Sequence, residues 1–482
     1  MTGNGSAPQP RRFAPIAVRG WGDGWNAYVH SMAWFEGHLY CGTFRAHLCF
    51  KQRQKENGPQ FPVWPIECPA DLFTTVDLRA QIWRFNPMTS GWQEVYRSPM
   101  ITNKEGRLVE RECGYRGMAV VQGRGDAKPT LYVLPFTRSQ SVGPILLRSE
   151  DGVMFHECSR PGLGRPGVSS FRFLVPFRGR LYTTLVGSTK YVVNESRYPI
   201  VFESAVPSSG TWHEASRPGF GEGGNNVIFQ MAVFNDHLYA GTFNHDVGFQ
   251  LWKTRAEGPR PYAWTKVIDL GAGRGNLNQG VLSMCEFNGA LYIGTCIQDG
   301  GYDRAHDVGP AAGEIIRVHP DDSWELIVGV PRMTDYGFQR PASGLGPGFG
   351  NPFNGYIWRM CVHANRLYVG TLSWKTFLPY VDTDKWPDGL RDHLDVDDVD
   401  EAAANGGFEL WSTADGESWE PVTLNGFGNP YNCGARTLES TPYGLAVGTV
   451  NPFGPKVAVK RNGGWTYVAN PRGGGEVWLG AP

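Results

Sequence analysis

Apolar and polar positions alternate over short stretches of the chain, and one alternating pattern keeps returning. It reads SMAWFEGHLYCGTF over residues 31–44, QMAVFNDHLYAGTF over 230–243, SMCEFNGALYIGTC over 283–296 and RMCVHANRLYVGTL over 359–372. Weaker copies occupy 117–135, 173–185 and 437–450. Each copy has period two, then a tight polar turn such as Glu-Gly or Asn-Asp, then a second apolar run; this is the signature of a β-hairpin. Two more strand candidates follow every hairpin. The third is apolar or Trp-centred, as in QIWRF (81–85) and GFELWST (407–413), and the fourth carries a Trp near its start, as in GWQEVY (91–96) and SWEPVT (418–423). Four antiparallel strands repeated seven times predict an all-β chain, residues 1–482 forming a single seven-bladed β-propeller of four-stranded blades.

The repeat is longer than the roughly 40–45 residues of a WD40 blade, and the excess lies in inserts at 45–80 in the first blade and 373–406 in the sixth. Composition agrees with the fold: 63 Gly, 35 Pro, 17 Trp, 19 Tyr and 26 Phe suit strands and turns. With 45 basic against 46 acidic residues, a net charge of -1, no overall field draws the chain to nucleic acid or to an anionic membrane. No apolar run is long enough to span a bilayer, and no signal-type segment opens the sequence. Nine Cys without a CxxC pair read as reduced thiols in a cytoplasmic protein rather than a disulfide framework or a zinc site.

The segments SEDGVMF (149–155) and STADGESW (412–419) resemble the Asp-box turns of sialidase-like propellers. In those families the turn staples the third strand to the fourth, so the resemblance implies fold and carries no catalytic residue. At the level of the fold alone, the chain also resembles propeller enzymes of natural-product and antibiotic metabolism, among them the cylindrocyclophane-forming alkylating enzyme and streptogramin lyase.

Antiparallel order puts the loops between second and third strands on the same face as the connections between blades. Both long inserts fall there, so that face is the one expected to carry function. The connections repeat a Gly-rich motif, as in RPGFGEGGNN (217–226), GPGFGNPFNG (346–355) and NGFGNPYNCG (425–434). These predict left-handed turns capped by the Asn rather than phosphate cradles, since no helix follows and the P-loop Lys is missing. The first insert, basic and then aromatic and Pro-rich, reads as a lid, a homodimer contact or a segment lying on the surface. The sixth carries an acidic stretch, 392–407, in which Leu390, Leu394 and Val399 fit one face of a helix packed over the rim; calcium binding there is the secondary reading.

Innermost strands begin at the elaborated face, so residues one and two before the repeated Met should rim the central channel. Two before it stand His30, Arg116, Arg172, Phe229, Leu282, Trp358 and Arg436; one before it stands Arg359 in the sixth copy. Arg116, Arg172, Arg359 and Arg436, with Trp358 and Phe229, form the expected substrate-binding set, because guanidinium matches small anions and carboxylates. His30, Tyr115 and Glu286 are the acid-base candidates, Glu286 being either an Arg partner or a poised catalyst. His245 and His306 belong to loops on the same face. The loop at 299–309, with Tyr302, Asp303, Arg304, His306 and Asp307, reads as solvated, with a divalent metal held by its Asp and His residues as the secondary reading because no spacing fixes the ligands; no cofactor is assigned. The leading functional expectation is an enzyme that cyclises, eliminates from or transfers a group on an anionic or polar small molecule at this funnel. The alternatives are a non-catalytic binding platform and a glycan-binding or glycan-hydrolysing propeller.

Overall fold

Period-two segments joined by two-residue turns can bury one face only by pairing, and the hairpins pair as the alternation demands. The computed structural model describes residues 13–53, 61–187, 195–382 and 399–481. Asn26–Phe35 pairs with His38–Arg45, Val227–Phe234 with His237–Phe243, Gly280–Phe287 with Ala290–Cys296, and Asn354–His363 with Arg366–Ser373. At the Asn235–Asp236 turn both residues have positive φ, 45° and 57°, the backbone twist a two-residue hairpin requires. Third and fourth strands add in order, as Gln81–Asn86 and Gly91–Arg97 do beside the first hairpin. The weaker copies at 117–135 and 173–185 also form hairpins, and their outer strands shrink to two to four residues. The framework is all-β and antiparallel.

Two segments far apart in the sequence enter one group. Val477–Gly480 adds to Gly444–Val450 as a third strand, and Phe13–Ala17 adds outside Val477–Gly480. Neighbouring groups touch through single bridges: Phe44 with Gly114, Phe136 with Ser170, Phe243 with Gly280, Cys296 with Tyr356, Leu372 with Gly434, and Val450 back with Tyr28.

The repeated Thr, Asn and Trp build one internal network. The backbone N–H at the start of the third strand donates to the Gly-Thr hydroxyl: Gln81 to Thr43, Gln250 to Thr242, Glu314 to Thr295, Glu409 to Thr371 and Glu476 to Thr449. In the last group the Glu476 carboxylate accepts from Asn429, from Asn432 and from the Trp478 indole. Asn432 also donates to the Gly426 carbonyl, as Asn225 does to Gly219 and Asn354 to Gly348. The Asn caps are therefore as expected. Phe220, Phe349 and Phe427 occupy the left-handed position after the capped Gly, and each stacks on the Trp of the third strand.

The Asp-box turns are staples. Asp151 accepts the backbone N–H groups of Val153 and Met154, and Asp415 those of Glu417 and Ser418; these bonds hold both carboxyls below the usual range. Gly152 lies against Tyr40 and Gly416 against Tyr292, where a Cβ would stand 1.8 and 1.9 Å from the phenol oxygens. The Tyr of the repeat thus seats the turn of the next group.

The inserts correct two expectations. Cys49 and Cys68 form a disulfide, with Cα atoms 5.5 Å apart, because the first insert folds back on itself; the remaining seven cysteines are free. Disulfides persist in oxidising compartments, so the reading of uniformly reduced thiols fails, and with it the main argument for a cytoplasmic address. Among the described residues no helix is long and apolar enough to cross a membrane. The first insert docks on a hairpin that the repeat does not announce, Lys456–Arg461 with Gly464–Ala469, through an Ile66–Val457 bridge and a Tyr467 hydroxyl bond to the Trp64 carbonyl. In the sixth insert, Leu390, Leu394 and the Asp-rich run lie outside the described residues. The helix Val399–Ala404 is short, and Val399 and Ala402 pack beside Phe353 and Leu378.

Candidate functional site

One defect recurs in the innermost strands. Pairing with the second strand skips a residue between Val29 and Ser31, Tyr115 and Gly117, Ile228 and Gln230, Val281 and Ser283, Ile357 and Arg359, and Ala435 and Thr437. The skipped residues are His30, Arg116, Phe229, Leu282, Trp358 and Arg436. In the third group the first strand breaks over the corresponding residue, Arg172, between Ser170–Phe171 and Val175–Phe177. A bulge takes its residue out of the ladder and re-aims the side chain. The column anticipated from the repeat is therefore a column of bulge residues.

These side chains meet. The Arg172 guanidinium lies 3.2 Å from the Phe229 ring centre and that of Arg436 lies 5.5 Å from Trp358. Phe229, Leu282 and Trp358 belong to one apolar cluster. Tyr28 places its ring 5.5 Å from His30 and 6.4 Å from Trp358. The arrangement has two arcs: Phe229, Leu282 and Trp358 form an apolar one, and Arg436, His30, Arg116 and Arg172 form a basic one.

In the basic arc His30, Arg172 and Arg436 are buried and Arg116 is half-buried, and the arginines are of one sign. Burial first, then the neighbouring guanidiniums, push Arg172 and Arg436 well below the ordinary arginine range; burial brings Arg116 down to about 10. The same burial, with Arg436, Arg116 and Arg172 nearby, holds His30 well below its ordinary value and hence neutral at pH 7. The Nε and Nη1 of Arg116 and the Nδ1 of His30 are buried and meet no hydrogen-bonding partner among the described residues. A guanidinium keeps its proton at any ordinary pH, so an anion is what would relieve this repulsion.

Arg359, one residue beyond its bulge, reaches from the sixth group to the third. Its guanidinium lies 4.9 Å from the Phe173 ring, and its Nε donates to the Arg436 carbonyl. On the insert side, the helix His47–Arg53 lies over the ring. His47 contacts the Tyr28 hydroxyl, Phe50 stacks on Phe44, and Lys51 pairs with Asp299 of the fifth group at 3.2 Å.

Two acid-base expectations need correction. The Tyr115 side chain points away from the ring into the core between the first two groups, with its hydroxyl 3.5 Å from Glu112, because alternation sends it opposite to Arg116. Glu286 is exposed beside the Asn288–Gly289 turn at the far end of its strand and is no buried Arg partner. The acid that does sit near an arginine of the set, Arg359, is Glu439, which the repeat alignment missed. Burial pushes its carboxyl up to about 7, opposed by a backbone N–H bond from Trp34 and by Arg359. Its signal was available: it is the lone acid in a column otherwise filled by Ala33, Ala119, Val175, Ala232, Cys285 and Cys361.

No protein-family model matches the chain, and no curated protein does. Among solved structures it is similar to a Mycobacterium tuberculosis puromycin-hydrolyzing peptidase, with 11% identity over 97% of this chain and 57% of that one, TM-score 0.45. It is also similar to a prolyl endopeptidase, with 10% identity, 93% and 51% coverage and TM-score 0.40. An alpha-L-arabinofuranosidase from Fusarium graminearum gives 11% identity, 76% and 92% coverage and TM-score 0.38. The chain spans about half the length of the peptidases it matches, and none of their chemistry is carried over.

Proposed function

We propose that the chain is a seven-bladed β-propeller, closed between its first and last strands, that takes a small amphipathic anion into its central ring. The observation that carries this reading is the two-arc composition. Guanidiniums stand on one side and Phe229, Leu282 and Trp358 on the other, and no carboxylate is among the neighbours that set the charge balance of Arg116 or Arg436. A carboxylate would take the basic arc through paired N–H donors, while its apolar or aromatic body lay on the other arc. A cyclisation, elimination or group transfer on such a molecule would use His30 as its proton acceptor only with the bound anion offsetting the guanidiniums that depress its basicity in the free protein. The glycan reading gains nothing: the indoles of Trp83, Trp252, Trp411 and Trp478 are bonded inside their own groups.

The test is calorimetric titration with a panel of aromatic and aliphatic carboxylates and phosphates. The wild type should prefer an aromatic carboxylate, and Arg116→Ala and Arg436→Ala should each weaken it by about 10- to 100-fold, the size expected for loss of a charge-assisted bond of roughly 1.5–3 kcal/mol. His30→Gln should leave binding in place and remove turnover. Unchanged affinity in both arginine variants would overturn the reading.

A further inference from the structure

The loop after the second strand of the fifth group exposes Arg304 to Asp307, as expected of a solvated loop, but buries Asp303 completely. Asp303 is 0% exposed and is held by a reciprocal backbone pair with Val308. Its Oδ1 accepts the backbone N–H groups of Ala305 and His306. Its Oδ2 faces three donors at once: Gln279 Nε2 at 2.9 Å, His245 Nδ1 at 3.1 Å and His306 Nδ1 at 2.8 Å. His245 comes from the neighbouring group, and its ring lies parallel to that of His306 with centres 4.4 Å apart. Two loops thus converge on one oxygen.

One carboxylate oxygen offers about two lone-pair sites, so three hydrogens aimed at Oδ2 overfill it. A cation in place of the two imidazole hydrogens resolves the conflict. Oδ2 would then hold the cation and the Gln279 N–H, and each imidazole would present its Nδ1 lone pair and carry its single proton on Nε2. For His245 the metal contact replaces the Nδ1–H bond to Oδ2, and no bond is lost at Nε2, which is buried with no hydrogen-bonding partner among the described residues. Ligand atoms around a tetrahedral ion with bonds of about 2.0 Å stand about 3.3 Å apart; the two Nδ1–Oδ2 separations are 3.1 and 2.8 Å, and the three ligand atoms all lie within 4.8 Å of one another.

We infer that His245, Asp303 and His306 form a binding site for a borderline divalent transition ion such as zinc. Two imidazoles with one carboxylate suit such an ion and not calcium, which takes oxygen ligands. Gln279 is the outer partner that orients the carboxylate; its own Oε1 accepts the Gln298 backbone N–H. His306 is the exposed member of the set, so the fourth position faces solvent, the arrangement of sites that keep a place for water or a ligand. The site is separate from the arginine ring but shares its face, since His245 packs on Phe243 and Phe243 on Phe229.

The test strips the full-length protein with chelator, then titrates zinc(II) and cobalt(II) by calorimetry and visible absorption. The expected result is one equivalent per chain, with cobalt bands of a four-coordinate nitrogen-oxygen site. His306→Ala, on the exposed side, should fold normally and weaken binding at least 100-fold; His245→Ala should abolish it, and calcium should give no heat. Absence of saturable binding at one equivalent, or wild-type affinity in His306→Ala, would overturn the assignment and leave a hydrogen-bonded His-Asp-His cluster.

Discussion

Two sets of buried polar side chains repeat around this molecule, and they are built on opposite principles. In the Thr-Glu-Asn-Trp network every group is answered: Glu476 receives Asn429, Asn432 and Trp478, and Asn432 in turn accepts from Thr449 and Asn451. In the ring of bulge residues, Arg116, Arg172 and Arg436 answer one another with repulsion, and His30 is kept neutral among them. Both sets come from fixed positions of the same repeat. Repetition of a polar residue therefore does not separate scaffold from site, whereas satisfaction of its hydrogen bonds and charge does.

The contrast can be broken most forcefully in the network. Asn432→Ala removes donors to the Gly426 carbonyl and to the buried Glu476 carboxylate, and should cost about 3 kcal/mol in chemical denaturation. A loss under about 1 kcal/mol would mean that the network is not what holds its group together.

Glu439 lies between the two cases, having one backbone donor and a nearby Arg. Its carboxyl is raised to about 7 in the folded chain, so the folded state binds that proton more tightly than the unfolded one. Its contribution is full below about pH 4.3 and is lost as pH rises through 7. Glu439→Gln should flatten the pH dependence of stability between pH 5 and 8 by about 2 kcal/mol; an unchanged profile would place the titrating group elsewhere.

The smallest effect on stability is expected in the ring itself. Arg436→Met removes a charge that its neighbours disfavour, and should leave stability within about 1 kcal/mol of wild type or raise it, with a larger gain at low salt. A loss of more than about 2 kcal/mol would show that Arg436 has a structural partner and belongs with the network.

Much of this was legible in the order of residues. The hairpins, the Asn-capped turns and the column holding His30, Arg116, Arg172, Phe229, Leu282, Trp358 and Arg436 follow from aligning copies of one repeat, because the alignment makes register explicit. That the column is bulged was not legible, since a bulge exists only in the pairing with a second strand. Glu286 was misplaced because it stands two residues past the repeated Met, where the strand end is exposed, whereas Glu439 stands one past the corresponding residue. The Cys49–Cys68 bond and the 456–469 hairpin lie in segments that belong to no repeat. The meeting of His245 with Asp303 joins loops 58 residues apart, and no local pattern reports it.

The pairing of Phe13–Ala17 with Val477–Gly480 bears on how the molecule is made. During synthesis the first of these strands has no partner until the second, far along the sequence, has been translated. Loop-closure entropy over such a separation slows the final step, and the waiting edge is exposed to wrong pairing meanwhile. A circular permutant that joins this strand directly behind Val477–Gly480 would turn the slowest contact into a local one, and its folding rate would report how far the end-to-end strand limits assembly.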